Sequence, residues 1–516
     1  MPTVVNVMKK QIHQKIKSST LWVLVAVAAL IGVVSTANSF DGNPSKQPNI
    51  IFIQTDDQDL ASLDAIRPDT GNFAYPNIRS LAANGVNFSN NFLSHGLCCP
   101  SRATFLTGQY EHNHGVYTNN APYGGFGRLD HSNTLPVWLK EAGYYNIHIG
   151  KYMNGYQEAL TQGAPPVPPG WDKWFTFLDG SKFFNYSVMQ EDGTTLSFGN
   201  NVGDYQTDVL ARRAARYIAN IPSRNQPFFM VVNFVAPHVG FGAGPGSGPH
   251  PVPAPRHIGV FDSYAPIFSP SFNEADVTDK PHNVASLSLI TQNAVAAIEE
   301  SMRLRLEALL AVDEGVGLIL EALTRKELLE NTIIMFVSDN GVQQGEHRII
   351  SGKNRPYDES IHVPLYIQGP GIPKGKVISN VVSNIDYAPT IMDLADAAPG
   401  LIMDGESLLP LMNNSLIPWR EGIFLENYRM DNFGGYLRGV RTNDKAYIEY
   451  EYGTVPDTIG PDEIELYSTK PDSCRLVGDP YQLESQHANP CYAKLIEKFQ
   501  ALVEEKKNCS GLSCSW

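Results

Sequence analysis

Apolar residues fall into two rhythms along this chain. The first is the near-continuous run: Asn49-Ile-Ile-Phe-Ile-Gln54 leads into Thr55-Asp56-Asp57, and Pro227-Phe-Phe-Met-Val-Val-Asn-Phe-Val235 leads into Ala236-Pro237-His238. Thr332-Ile-Ile-Met-Phe-Val337 leads into Ser338-Asp339-Asn340-Gly341, and 363–368 ends at Gly369-Pro370-Gly371. Strands buried on both faces read this way, so these runs predict a central, largely parallel sheet. The second rhythm is helical: Leu306, Leu309, Leu310, Val316, Leu320 and Leu323 recur on one face of a helix expected over about 286–325. Alternation of the two predicts an α/β fold, a large mixed, mostly parallel central sheet sandwiched by helices. Ligands of such sheets gather beyond the carboxyl ends of the strands, where the polar clusters lie.

Past about residue 401 the pattern shortens. Strands within 435–452 look antiparallel, and a helix is expected over about 492–505. The reading is a catalytic domain over 49–400, after a linker at 38–48, and a smaller C-terminal antiparallel α+β subdomain over 401–516. The Gly/Pro-rich stretch from Gly240 to Pro255 opens an irregular insertion lasting to about Asn283, a substrate wall or a surface loop. Pro165 to Trp171 reads as a rigid loop, with Trp171 and Trp174 packed.

The first 37 residues differ in kind. Lys9, Lys10, Lys15 and Lys17 precede the apolar run Leu21 to Val34 and the small residues Ser35-Thr36-Ala37, with no acidic residue. This is the pattern of a signal peptide, with an uncleaved signal anchor as the alternative; without cleavage failure, no stable membrane insertion is expected. Removing the four lysines moves the formal charge from −14 to −18, which argues against nucleic acid and other polyanion partners. Sequons at Asn87, Asn185, Asn413 and Asn508 suit the secretory pathway, with secretion or lysosomal or vacuolar delivery as destinations. Cys474, Cys491, Cys509 and Cys514 crowd the tail, and proximity suggests Cys474 with Cys491 and Cys509 with Cys514.

The most informative segment is Cys98-Cys-Pro-Ser-Arg-Ala-Thr-Phe-Leu-Thr-Gly108. Pro100 favours a helix start, so Cys98 sits where the helix dipole and backbone N–H groups favour negative charge, and Gly108 closes the helix. Three residues separate Cys98 from Arg102, too few for the loop of a thiolate tyrosine phosphatase. Asp56-Asp57 and Asp339-Asn340 each end a predicted strand. A parallel sheet would bring their oxygens to one edge, a donor set for Ca²⁺, with Mg²⁺ second, rather than zinc.

Cys-x-Pro-Ser-Arg with the following Thr-Gly resembles the sulfatase signature, in which the first cysteine is oxidised to formylglycine by a formylglycine-generating enzyme. The resemblance extends from about 49 to 412 through Thr55 to Asp59, His112 to Asn120, Gly150 to Tyr156, Pro227 to Met230, Ala236-Pro237-His238, Ser338 to Gly341, Gly345-Glu346-His347 and Asn384 to Thr390. The N-acetylglucosamine-6-sulfatase and extracellular glucosamine-sulfatase branch is the most similar. It implies an alkaline phosphatase-like fold and one Ca²⁺ held by Asp56, Asp57, Asp339 and Asn340 beside the formylglycine made from Cys98. Arg102 would steady the hydrated aldehyde, Lys151 and Lys353 would grip sulfate, and His238 would help protonate the leaving oxygen.

The mechanism so implied is attack by one hydroxyl of the hydrated aldehyde on sulfur, release of the alcohol, and expulsion of sulfate by the remaining hydroxyl as the aldehyde re-forms. Many arylsulfatases carry a histidine two residues after the lysine matching Lys151, where this chain has Met153. His112, His114, Asn154 and His347 are the alternatives for substrate contact or for deprotonating the diol. The expected substrate is a sulfated sugar end or an aryl sulfate. A formylglycine-dependent phosphate or phosphonate ester hydrolase and a catalytically silent glycan-binding homologue are the competing readings.

Overall fold

The computed structural model describes residues 47–178, 180–240, 250–428, 435–452 and 461–516. The N-terminal signal expectation and the first part of the Gly/Pro-rich stretch lie outside them. Among the described residues no helix is long and apolar enough to cross a membrane.

Ten strands make the main sheet: β1 (Asn49–Asp56), β2 (Gly85–Phe88), β3 (Tyr145–Gly150), β4 (Lys173–Phe177), β5 (Ser187–Gln190), β6 (Thr195–Ser197), β7 (Phe228–Pro237), β8 (Thr332–Ser338), β9 (Leu365–Gln368) and β10 (Lys376–Ile378). Their order is β10-β2-β9-β8-β1-β7-β3-β4-β5-β6. The central block β8-β1-β7-β3-β4 is parallel, and the apolar runs of β1, β7 and β8 are its fully buried middle. The last of the four predicted runs is also a strand, but β9 lies antiparallel to β8. An apolar run reports burial and carries no direction.

Helices α1 (Pro76–Ala83), α3 (Gln206–Ala219) and α4 (Gln292–Arg325) bury apolar faces on this sheet, while α2 (Cys98–Thr107) is buried along its whole length. In α4, Leu306, Leu309, Leu310, Val316, Ile319 and Leu323 are the buried stripe. The helix begins at Gln292, because Thr291 caps it by accepting from Ala294 N, and 286–291 stay outside.

A second sheet of four antiparallel strands, β11 (Gly422–Asn427), β12 (Gly435–Thr442), β13 (Lys445–Tyr452) and β14 (Glu463–Ser468), precedes α5 (Ala493–Lys506). It does not stand apart as a separate body: residues 46–516 form one compact unit. The reason is a shared core, in which Ile423, Leu425, Ile448 and Tyr450 of the small sheet pack with Phe92, Val277, Tyr357 and Ile361. Disulfides join Cys474 to Cys491 and Cys509 to Cys514. Asn185, Asn413 and Asn508 are exposed, whereas Asn87 is half-buried in β2, paired with both neighbouring strands.

Candidate active site

The register of the parallel block decides which side chains meet. Thr55 pairs with Ser338, Asp56 with Pro237 and Gly150 with Asn233, so the residues just beyond these strands share one edge. Asn233, the polar interruption in an apolar run, fastens the backbone of Lys151 to that edge: Lys151 N donates to Asn233 O at 3.1 Å, and Asn233 Nδ2 donates to Lys151 O at 2.7 Å.

Opposite this edge stands the N-terminus of α2. Leu97 is extended, Cys99 N donates to Asn119 Oδ1 at 2.9 Å, and Pro100 falls where a helix needs no intrahelical N–H bond. Gly108 ends the helix at φ 67°, its N–H on Thr104 O, a left-handed position that favours glycine. Cys98 is thereby presented to the strand ends as the first helical residue.

Around its sulfur the charged groups are dense. Lys353 Nζ lies 2.9 Å from Cys98 Sγ, Lys151 Nζ 3.5 Å, and Asp56 Oδ1 3.6 Å. Lys151 also binds Asp56 and Lys353 binds Asp57. Arg102 donates to Asp339 Oδ2 at 2.9 Å and to Lys151 O at 2.9 Å, with Asp56 Oδ2 at 3.4 Å. Asp57 adopts φ 62°, rare for an aspartate, and is held there from both sides: its N donates to Asp339 Oδ1 at 3.2 Å, and Arg305 of α4 binds its carbonyl. His238 Nδ1 donates to Val239 O at 2.7 Å, which turns Nε2 towards Asp57 Oδ2 at 3.6 Å.

The electrostatics follow from this packing. Burial alone would raise the Asp56 carboxyl, but Lys151, His238, Lys353 and Arg102 hold it well below the usual carboxylate range. Asp57 is lowered against its burial by Lys353 and His238, while burial and the charge of Asp56 raise Asp339. Burial and Asp56 push the Cys98 thiol up to about 12 despite both lysines, so as a cysteine this residue is protonated and a poor nucleophile at neutral pH. Burial lowers His238.

Asp56, Asp57, Cys98 and Asp339 can each offer one ligand atom, all within 4.8 Å of one another. Asn340 adds a sharper test. Its Nδ2 donates to Asp57 Oδ1 at 2.6 Å and to Gly341 O at 2.8 Å, while its buried Oδ1 has no hydrogen-bond partner. A buried amide oxygen left without a donor beside three carboxylates is what a hard cation needs. The donor set therefore fits one hard divalent cation.

His112, His114, His347 and Asn154 have other partners. His112 pairs Nδ1 with Glu426 at 2.7 Å and Nε2 with Cys509 O at 2.9 Å, bracing the tail. His114 lies 3.1 Å from Thr104 Oγ1 and is driven down to about 3 by burial, then by His112 and His95. His347 is fully buried against Glu274 at 2.7 Å. Asn154 is half-buried and places its N on Cys99 Sγ at 3.2 Å, next to the nucleophile segment. Neither Arg305 nor Asn233 belongs to a sulfatase motif; Asn233 is a single polar residue inside an apolar run, whereas Arg305, between Arg303 and Glu307, carries no such mark.

A family model described as Sulfatase matches residues 48–397, and one described as N-sulphoglucosamine sulphohydrolase, C-terminal, matches 345–508. The chain is 34% identical over 400 residues to the putative extracellular sulfatase Sulf-1 homolog of Caenorhabditis elegans, covering 74% of this chain and 53% of that protein. To N-acetylglucosamine-6-sulfatase of Homo sapiens it is 31% identical over 414 residues, covering 78% and 70%. The chain thus spans about half the length of the first of these relatives. Among solved structures, BT4656 in complex with its substrate D-glucosamine-2-N,6-O-disulfate superposes with a TM-score of 0.71 at 25% identity, over 90% of this chain and 98% of that one. The phosphonate monoester hydrolase of Agrobacterium radiobacter shares the fold, with a TM-score of 0.62 at 22% identity over 87% and 94%.

Proposed function

The chain belongs to the sulfatase family, and we propose on that premise that it hydrolyses a sulfate monoester, a sulfated sugar end such as N-acetylglucosamine 6-sulfate or an aryl sulfate. The observation that carries this reading is the convergence on Cys98 Sγ of Lys353 at 2.9 Å and Lys151 at 3.5 Å, with Asp56 Oδ1 at 3.6 Å. Two ammonium groups on one side and, on the other, a cation held by the oxygen ligands would make a clamp for a tetrahedral oxyanion.

Converted to formylglycine, Cys98 would supply a hydrated aldehyde, and Ca²⁺ on Asp56, Asp57, Asp339 and Asn340 would stabilise negative charge on it. Arg102 keeps Asp339 and Asp56 oriented for that task. Lys151 and Lys353 carry the charge of the sulfate oxygens. To His238, whose ring is fixed through Val239 O, we assign the passing of a proton to the departing oxygen, which needs Nε2 protonated against the burial that lowers its pKa. Cys98 is 1% exposed and Arg102 2%, so a formylglycine-generating enzyme would have to read this segment before the chain closes around it. The secretory route suggested by the N-terminal sequence and the exposed sequons agrees with such maturation.

The fold shared with a phosphonate monoester hydrolase keeps a formylglycine-dependent phosphate or phosphonate hydrolase as the second reading. One experiment separates the readings. Natively produced protein is digested, and the peptide containing Cys98 is weighed beside parallel assays of an aryl sulfate, N-acetylglucosamine 6-sulfate and an aryl phosphate. The expected result is formylglycine at 98, sulfate release, and no turnover by Cys98→Ala. An unmodified thiol in active protein would overturn the mechanism, and preferred phosphate release would install the second reading.

A further inference from the structure

Beneath the clamp lies a buried polar chain that the mechanism does not use. His95, three residues before Cys98, is 3% exposed, and both of its ring nitrogens face acceptors. Nδ1 lies 2.6 Å from Glu111 Oε2, and Nε2 contacts Asn354 Oδ1. Glu111 Oε1 in turn takes the backbone N–H of Tyr428 at 2.7 Å, and Asn354 Oδ1 takes Asn427 Nδ2 at 2.7 Å. Both ring nitrogens are thus held, and with them the orientation of the imidazole. Burial lowers the His95 pKa, but Glu111 and the hydrogen bonds of Glu111 and Asn354 raise it overall, while burial pushes the Glu111 carboxyl up to about 7 against the pull of His95.

The far end of this chain is the backbone next to Lys353. Asn354 adopts φ 68°, and its N donates to Gly96 O at 2.9 Å. Its side chain is thus tied to His95 and its backbone to Gly96, both on the segment that delivers Cys98. The ammonium of Lys353 reaches Cys98 from the adjacent residue.

We propose that His95 is a positioning residue: paired with Glu111, it latches Asn354 and so fixes the Lys353 ammonium against the residue-98 nucleophile. The inference rests on the sulfatase reading only for Lys353 being a sulfate ligand. Displacement of a clamp group by an ångström costs up to about 100-fold in rate.

The test uses the full-length, converted protein and two readouts, kcat/KM for an aryl sulfate and Kd for inorganic sulfate by calorimetry. Asn354→Gly removes the latch while suiting the left-handed backbone, and His95→Gln removes one of the two ring contacts. Each should lower kcat/KM at least tenfold and weaken sulfate binding, and Asn354→Asp, which keeps the acceptor, should restore most of both. In a Lys353→Ala background the same changes should add less than twofold, because the latch acts through that lysine. Full additivity there, or single variants within twofold of the parent, would overturn the proposal. If His95→Gln does not fold, the Asn354→Gly pair decides. A parent that turns over no sulfate ester would refute the functional reading, and the sulfate-binding cycle would still judge the latch.

Discussion

The site contains three carboxylates, Asp56, Asp57 and Asp339, and three permanent cations, Arg102, Lys151 and Lys353, all buried or nearly so. In this arrangement Lys151 and Lys353 neutralise carboxylates that a divalent cation would also claim, so lysine and metal compete. Replacing Lys151 by Met removes one competitor without disturbing the backbone, because Asn233 holds both the N–H and the carbonyl of residue 151. Asp56 then loses the foremost of the cations that hold its pKa down. Breaking a buried ion pair by deleting one partner costs about 3–5 kcal/mol, and metal-free Lys151→Met should unfold earlier by that amount. Calcium replaces the missing charge, so the gap should shrink to less than about 2 kcal/mol at saturating metal, and calcium should bind more tightly than to the parent. Denaturant unfolding in chelator and in calcium, with calorimetric Kd values, checks both signs. Weaker calcium binding by Lys151→Met, or an unchanged gap, would refute the competition argument.

Two further predictions address other links. His238→Ala should lower kcat for a sugar sulfate by about 10²–10⁴-fold, yet much less for an aryl sulfate whose phenolate leaves without protonation; equal losses on both substrates would remove His238 from the proton-transfer role. Glu426 lifts His112 against its burial to about 9, above the ordinary value of 6.5. This stabilisation is complete below about pH 6.5 and is lost as pH rises through about 9, so the gap in melting temperature between parent and His112→Gln should be widest near pH 6 and close above pH 9. A gap constant across that range would show that the His112–Glu426 pair contributes packing alone.

How much of this was legible follows from what each signal reports. The runs forming β1, β7 and β8 were readable because both faces of those strands are covered, and the polar residues ending them became the site because the strands are parallel and in register. Tyr145–Gly150 was not readable as a strand, although it delivers Lys151. Its Asn146 and His148 interrupt the apolar pattern while staying buried, Asn146 by donating to Pro136 O and Gly170 O, and His148 through Thr176 Oγ1. Hydropathy counts a polar side chain as exposed unless its partner is known, and the partners here lie on other elements.

The same reason separates the histidines that entered the site from those that did not. A histidine in a motif is equally compatible with a substrate and with a buried carboxylate, and the carboxylates that claim His112 and His347 are 314 and 73 residues away in sequence. His238 escaped this ambiguity because it follows a strand end directly, so the sheet itself places it. His95 carries no such mark: its partners, Glu111 and Asn354, come from a short helix after α2 and from the loop beyond Asn340. Those three segments are brought together only by closure of the chain around α2. Strand-end chemistry is therefore readable along the sequence, whereas the buried hydrogen bonds that would hold Lys353 in place are readable only once the partners around His95 are known.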